Sequence, residues 1–134
     1  GRLVWPINDL AGATIGFGAR KLFDDDDGPK YLNTPETPIY KKSAVLYGLD
    51  LARRDISKQQ QVVVVEGYTD VMACHLAGVT TAVATCGTAF GNDHIKVLRR
   101  ILMDDENLRL DSGQESQVVS KVDGDQVAIK GRAE

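Results

Sequence analysis

The sequence predicts an α/β fold, a parallel sheet with flanking helices preceded by a small antiparallel β/α subdomain. Two observations predict it. From residue 62 onward, short β-branched runs alternate with segments of helical period, the β-α-β-α order that produces parallel sheets. Residues 1–34 instead carry brief apolar runs broken by turn residues, the pattern of a meander. With 134 residues and 43% hydrophobic content, the chain can build one modest core.

Taken in order, short strands are expected over 3–7, 13–17 and 20–23, separated by Asn8-Asp9 and glycine-containing turns. Asp24, Asp25, Asp26 and Asp27 precede Gly28 and Pro29, which reads as a solvated turn because adjacent carboxylates repel unless hydrated. A calcium loop does not fit, since Pro35 stands where its distal glutamate belongs. Thr34-Pro35-Glu36-Thr37-Pro38 suits neither helix nor central strand, and helices are expected after it over 43–47 and 49–56. The four valines at 62–65 mark a strand buried on both faces. A helix over 69–77 ended by Gly78 follows, then a strand over 81–85, a loop at Cys86-Gly87-Thr88, and a helix from 92 or 93 to 103. Residues 107–117 are polar and aperiodic, and read as loop or disorder.

Composition narrows the function classes. No apolar run approaches the roughly 20 residues of a membrane span, and the first residues lack the basic-then-apolar layout of a signal peptide, so no membrane partner and a cytoplasmic location are expected. Cys74 and Cys86 form neither a CxxC pair nor a disulfide framework, so zinc is not expected. The net charge of -3 argues against a uniformly basic nucleic-acid binder. Arg53, Arg54, Lys58, Lys96, Arg99 and Arg100 still leave room for a local basic face. The glycines between 12 and 21 match neither the Walker A nor the GxGxxG spacing.

Chemistry-bearing residues cluster at strand ends. Glu66 follows four valines and precedes Gly67, which delivers a carboxylate to the tip of a buried strand, where α/β proteins bind ligands. The alternative is an ordinary strand-ending acid facing water. Asp70 falls in the first helical turn, as a ligand or as part of the cap. Asp123-Gly124-Asp125 places two carboxylates around a glycine, as in a divalent-cation site or a common hairpin turn. Three such carboxylates would repel one another, and Mg²⁺ would offset that charge and leave positions open for phosphate oxygens. Cys86 with His94 lacks an orienting third group, so a buried structural cysteine is expected, and His75 reads as structural.

Six blocks stand in order along the chain: Trp5-Pro6-Ile7, Ile15-Gly16-Phe17-Gly18-Ala19-Arg20, Pro29-Lys30-Tyr31-Leu32-Asn33-Thr34-Pro35-Glu36-Thr37-Pro38, Leu46-Tyr47-Gly48-Leu49, Glu66-Gly67-Tyr68-Thr69-Asp70 and Ala82-Val83-Ala84-Thr85-Cys86-Gly87-Thr88-Ala89. Together, in residues and in order, they resemble bacterial DnaG-type primases. The resemblance covers roughly residues 1–105. It implies part of the N-terminal catalytic subdomain over 1–60, the first half of a TOPRIM domain over 61–105, and a divergent or disordered tail over 106–134.

By the same resemblance, Glu66 matches an acidic residue that helps hold catalytic Mg²⁺, with Mn²⁺ as an alternative, and Asp70 matches the aspartate of that motif. Arg20, Lys30, Tyr31 and Asn33 match residues on the nucleotide and template side. Gly87 and Thr88 match a loop whose N–H groups approach phosphate, although a plain strand-to-helix turn reads as well. Asp123 and Asp125 are either the remaining catalytic metal ligands, reached after an insertion, or a coincidence, because the motif arrives late and residues 117–122 are less apolar than the family's strand. The implied activity is RNA primer synthesis on single-stranded DNA from ribonucleoside triphosphates, with a replicative helicase as partner through a region absent here. This piece alone is expected to be inactive or nearly so. The rival readings are another TOPRIM phosphoryl-transfer enzyme and a non-catalytic nucleic-acid-binding remnant.

Overall fold

The computed structural model describes residues 1–103, together with the backbone of two later strands at 116–122 and 125–131. Three antiparallel strands come first: β1 (Arg2–Asn8), β2 (Thr14–Lys21) and β3 (Tyr31–Asn33), in the order β1-β2-β3. The β1–β2 turn is tied by the Asp9 carboxylate, which accepts the N–H groups of Ala11 and Ala13 at 3.0 and 2.9 Å, while Gly12 supplies the left-handed residue at φ 86°. Pro6 is tolerated because β1 is an edge of this sheet.

Next come α1 (Leu49–Gln59), β4 (Gln61–Val65), α2 (Tyr68–Leu76), β5 (Ala82–Ala84), α3 (Asn92–Met103), β6 (Ser116–Val122) and β7 (Asp125–Gly131). The second sheet has the order β5-β4-β6-β7, with β4 parallel to both β5 and β6, and β7 antiparallel to β6. The predicted parallel sheet with flanking helices is therefore present, and the valine run is one of its inner strands. Alternate valines serve opposite faces. Val62 and Val64 join Val83 beneath Leu49, Ala52 and Ile56 of α1 and Leu98, Ile101 and Leu102 of α3. Val65 and Ala84 pack on the other side with Val71 of α2 and with Trp5 and Ile7 of the small sheet. The buried positions of α1 recur at helical spacing, and truncating the fully buried Ile56 to alanine would cost about 2–5 kcal/mol.

Three details differ from the expectations. The strands expected over 13–17 and 20–23 are one continuous strand, because Gly18 and Ala19 pair with both neighbours instead of turning. Residues 31–33 form a strand that the proline-flanked sequence conceals. The helix expected over 43–47 does not form. Tyr47 instead exchanges backbone hydrogen bonds with Ala84 on the edge strand β5, at 2.8 and 3.1 Å, and that bridge requires extended backbone. Gly48 then turns into α1 at φ 83°. At the other end of α1, buried Gln60 at φ 55° donates its side-chain amide to the carbonyls of Ser57 and Leu102, so the helix passes into β4 without a loop. No described helix is long and apolar enough to cross a membrane.

Candidate active site

The carboxyl ends of β4 and β5 open into a cleft of about 550 Å³. Glu66, Gly67, Tyr68, Thr69 and Asp70 line it from the β4–α2 junction; Thr85, Cys86, Gly87, Thr88, Ala89 and Phe90 line it from the loop after β5; Trp5, Tyr31 and Asn33 line it from the small sheet. Strand-end delivery explains the first two groups, since each loop begins where the buried strand stops.

Glu66 is exposed, and among the described residues its carboxylate makes no hydrogen bond or ion pair. Asp70 is partly committed. Its Oδ2 accepts the Gly67 N–H at 3.2 Å, so it caps α2 while the residue also lines the cleft. Among the described residues no group of three or more metal-ligating side chains converges. Asp123 lies outside the described residues, and Asp125 opens β7 with its side chain outside the description. An exposed, unengaged carboxylate beside a half-engaged one is nevertheless an all-oxygen donor set, and it fits a hard, largely hydrated cation such as Mg²⁺.

The opposite wall is aromatic, with two cations close to its Tyr31. Cross-strand register places Arg20 beside Tyr31 and Gly18 beside Asn33, so the four share one face of the small sheet. The Arg20 guanidinium and the Lys30 ammonium each lie 5.9 Å from the centre of the Tyr31 ring. Tyr31 lines the cleft, and these two cations do not.

Residues that sequence reading did not single out hold the walls together. Tyr68 stacks on Trp5 with ring centres 5.0 Å apart, and meets Tyr47 edge-on at 4.7 Å. Its ring fills the space that a Cβ at position 18 would need, which explains the glycine there. Its hydroxyl donates to Asn33 Oδ1 at 2.6 Å, and Asn33 Nδ2 donates to the Cys86 carbonyl at 2.9 Å. Burial raises the Tyr68 hydroxyl's pKa and pushes the Cys86 thiol up to about 12. The thiol is thus protonated and unreactive. His94 gives it no base: the Gly91 N–H donates to His94 Nδ1, so Nε2 carries the proton and donates to the Lys42 carbonyl at 3.0 Å. His75 likewise donates to a carbonyl, that of Ala82. The available signals for the missed aromatics were the lone Trp5 alternating with Ile7 and the placement of Tyr68 between two acids.

Comparison with known proteins is specific. The family described as "DNA primase catalytic core, N-terminal domain" matches residues 1–53, and the Toprim domain family matches residues 60–132. The chain is 72% identical over 110 residues to a DNA primase of Streptomyces coelicolor, covering 82% of this chain but only 17% of that relative. Among solved structures, it is similar to the RNA polymerase domain of Mycobacterium tuberculosis primase DnaG, with a TM-score of 0.75 and 54% identity over 93% of this chain and 48% of that one. It is also similar to a DnaG primase catalytic domain bound to single-stranded DNA, with a TM-score of 0.70 and 36% identity over 93% of this chain and 45% of that one.

Proposed function

Because the chain belongs to the bacterial DnaG-type DNA primases, whose catalytic core contains a TOPRIM domain, we propose that it is part of a polymerase core that joins ribonucleotides into short RNA primers on single-stranded DNA. The observation that carries this reading is one cleft with carboxylates on one wall and, on the other, an aromatic with two cations close to it. Nucleotidyl transfer needs both, because phosphates must be neutralised on one side and a divalent cation held on the other.

Glu66 and Asp70 would hold Mg²⁺, or Mn²⁺, with Asp123 and Asp125 completing the set. When bound, the ion supplies activation of the primer 3′-hydroxyl and stabilisation of the leaving pyrophosphate. Arg20 and Lys30 neutralise nucleotide and template phosphates, and Tyr31 offers a ring face for a base. Gly87 and Thr88 line the cleft from the loop after β5, and on this reading their N–H groups would approach phosphate oxygens. On this reading residues 1–60 belong to the N-terminal catalytic subdomain and the TOPRIM unit begins at residue 61. The template is single-stranded DNA, as in the bound relative, and the substrates are ribonucleoside triphosphates. A replicative helicase would engage a region outside this chain, at replication forks in the cytoplasm.

Template-dependent synthesis with Mg²⁺ and ribonucleotides tests the proposal on the complete protein and on residues 1–134 alone. The complete protein should make primers and the segment little or none. Robust product from the segment would overturn the second half. Metal-independent DNA binding by a complete protein that makes no primer would overturn the first half and favour a non-catalytic remnant.

A further inference from the structure

We infer that Asn33 acts as a positioning residue, a two-sided latch that sets the cationic face of the small sheet at a fixed distance from Glu66. The inference rests on the functional reading of the cleft given above. Its geometry is separate from that reading.

The Asn33 carboxamide reaches both loops of the acidic wall. Its Oδ1 accepts from the hydroxyl of Tyr68, two residues past Glu66, and its Nδ2 donates to the Cys86 carbonyl. The Cys86 N–H in turn donates to the Glu66 carbonyl at 3.1 Å. One side chain on β3 therefore controls Glu66 from two directions, through Tyr68 and through Cys86.

The loop needs holding. Cys86 and Gly87 lie consecutively in left-handed backbone, at φ 53° and 88°. For the non-glycine residue that conformation costs about 1–2 kcal/mol and persists only where its surroundings impose it. The Asn33–Cys86 hydrogen bond is such a constraint, at the residue that bears the strain. On the other side, Asn33 pairs with Gly18 and shares a strand face with Tyr31 and Arg20, so whatever fixes Asn33 also fixes them.

The residue type suits this role. An amide carries a donor and an acceptor on one short branch, and each is used by a group that requires it: the Tyr68 hydroxyl donates and the Cys86 carbonyl accepts. Aspartate would satisfy Tyr68 but set a carboxylate oxygen against the Cys86 carbonyl. Leucine, of similar shape, would satisfy neither.

The test uses the complete protein carrying this segment, with Asn33→Leu, Asn33→Asp, Tyr68→Phe and the Asn33→Leu/Tyr68→Phe double variant. Kinetics are measured against ribonucleotide concentration, and amide hydrogen exchange is followed at residues 86–88 without nucleotide. A latch predicts that Asn33→Leu and Asn33→Asp each lower kcat about tenfold or more, since small misplacements are costly, while KM stays within about twofold. The double variant should be no worse than Asn33→Leu alone, because both substitutions open the same unit. Exchange at residues 86–88 should quicken in Asn33→Leu.

A raised KM with kcat preserved, additive effects of the two substitutions, or unchanged exchange at the loop would each overturn the latch and return Asn33 to the nucleotide. Should the wild-type protein make no primer at all, the functional reading fails, and the exchange comparison still decides whether the latch exists.

Discussion

The two walls of the cleft are built by opposite means. On the acidic wall, the candidate carboxylate sits one residue past a buried strand: Val65 is 8% exposed and Glu66 is open to solvent. On the cationic side, the candidate residues are spread along the face of a three-stranded sheet at alternate positions, and Tyr31 is 50% exposed. The first arrangement fixes a carboxylate by the rigidity of the strand beneath it. The second relies on cross-strand register and on contacts reaching over the cleft, so it should yield sooner when those contacts are cut.

The sharpest way to separate the walls is Glu66→Gln in the complete protein. Primer synthesis should fall by about 100-fold or more, and the exposed position should leave the thermal midpoint nearly unchanged. A synthesis rate within a few-fold of wild type would remove Glu66 from the chemistry. Next in size is Gly18→Ala, which forces a methyl group into the Tyr68 ring and strikes the contact that joins the walls. Destabilisation of about 1–3 kcal/mol is expected, read as a lower denaturation midpoint. An unchanged midpoint would mean the aromatic stack is not a joint.

Arg20→Ala and Lys30→Ala should each raise the KM for nucleotide or template by about three- to tenfold, more at low than at high salt, because screened charge is their contribution. A loss independent of salt would point instead to packing against Tyr31. The smallest effect concerns pH. The Cys86 pKa is raised by burial from an ordinary 9.0 to about 12, so the native state holds this proton more tightly than the unfolded chain. Its stabilising contribution is complete below about pH 9 and is lost as the pH rises from there toward 12. Cys86→Ser unfolded across this range should show a flatter decline than wild type. Iodoacetamide should modify the half-exposed Cys74 before Cys86 at neutral pH.

The legibility of the two regions in sequence follows the same division. Four consecutive valines announce a strand without tertiary information, and α3 occupies the predicted 92–103 because its buried positions repeat at helical spacing. The small sheet was less visible. Gly18 reads as a turn until its partners Trp5 and Asn33 are known, and the three residues of β3 carry no periodicity of their own. Residues 43–47 have local helical character that the Tyr47–Ala84 bridge overrides. At the cleft, Glu66 and Asp70 could be singled out because their strand-end context is local, whereas Gly87 and Thr88 read locally as a loop and took a binding role only from family resemblance. Arg20, Lys30, Tyr31 and Asn33 were picked out by family resemblance, since no short pattern declares a residue that acts across a sheet. Trp5 and Tyr68 stand in the resembling blocks but received no role there, because stacking is a relation between distant segments, absent from either segment read alone.

The fit of the Tyr68 ring over Gly18 has a consequence for descent. A lineage cannot explore side chains at position 18 while it keeps an aromatic ring at 68, and it cannot shrink residue 68 without releasing the amide of Asn33. In inheritance, glycine at 18 and tyrosine at 68 should therefore behave as a single character. Their substitutions should enter together or not at all, and a relative with a bulky residue at the first position should carry a compensating loss at the second.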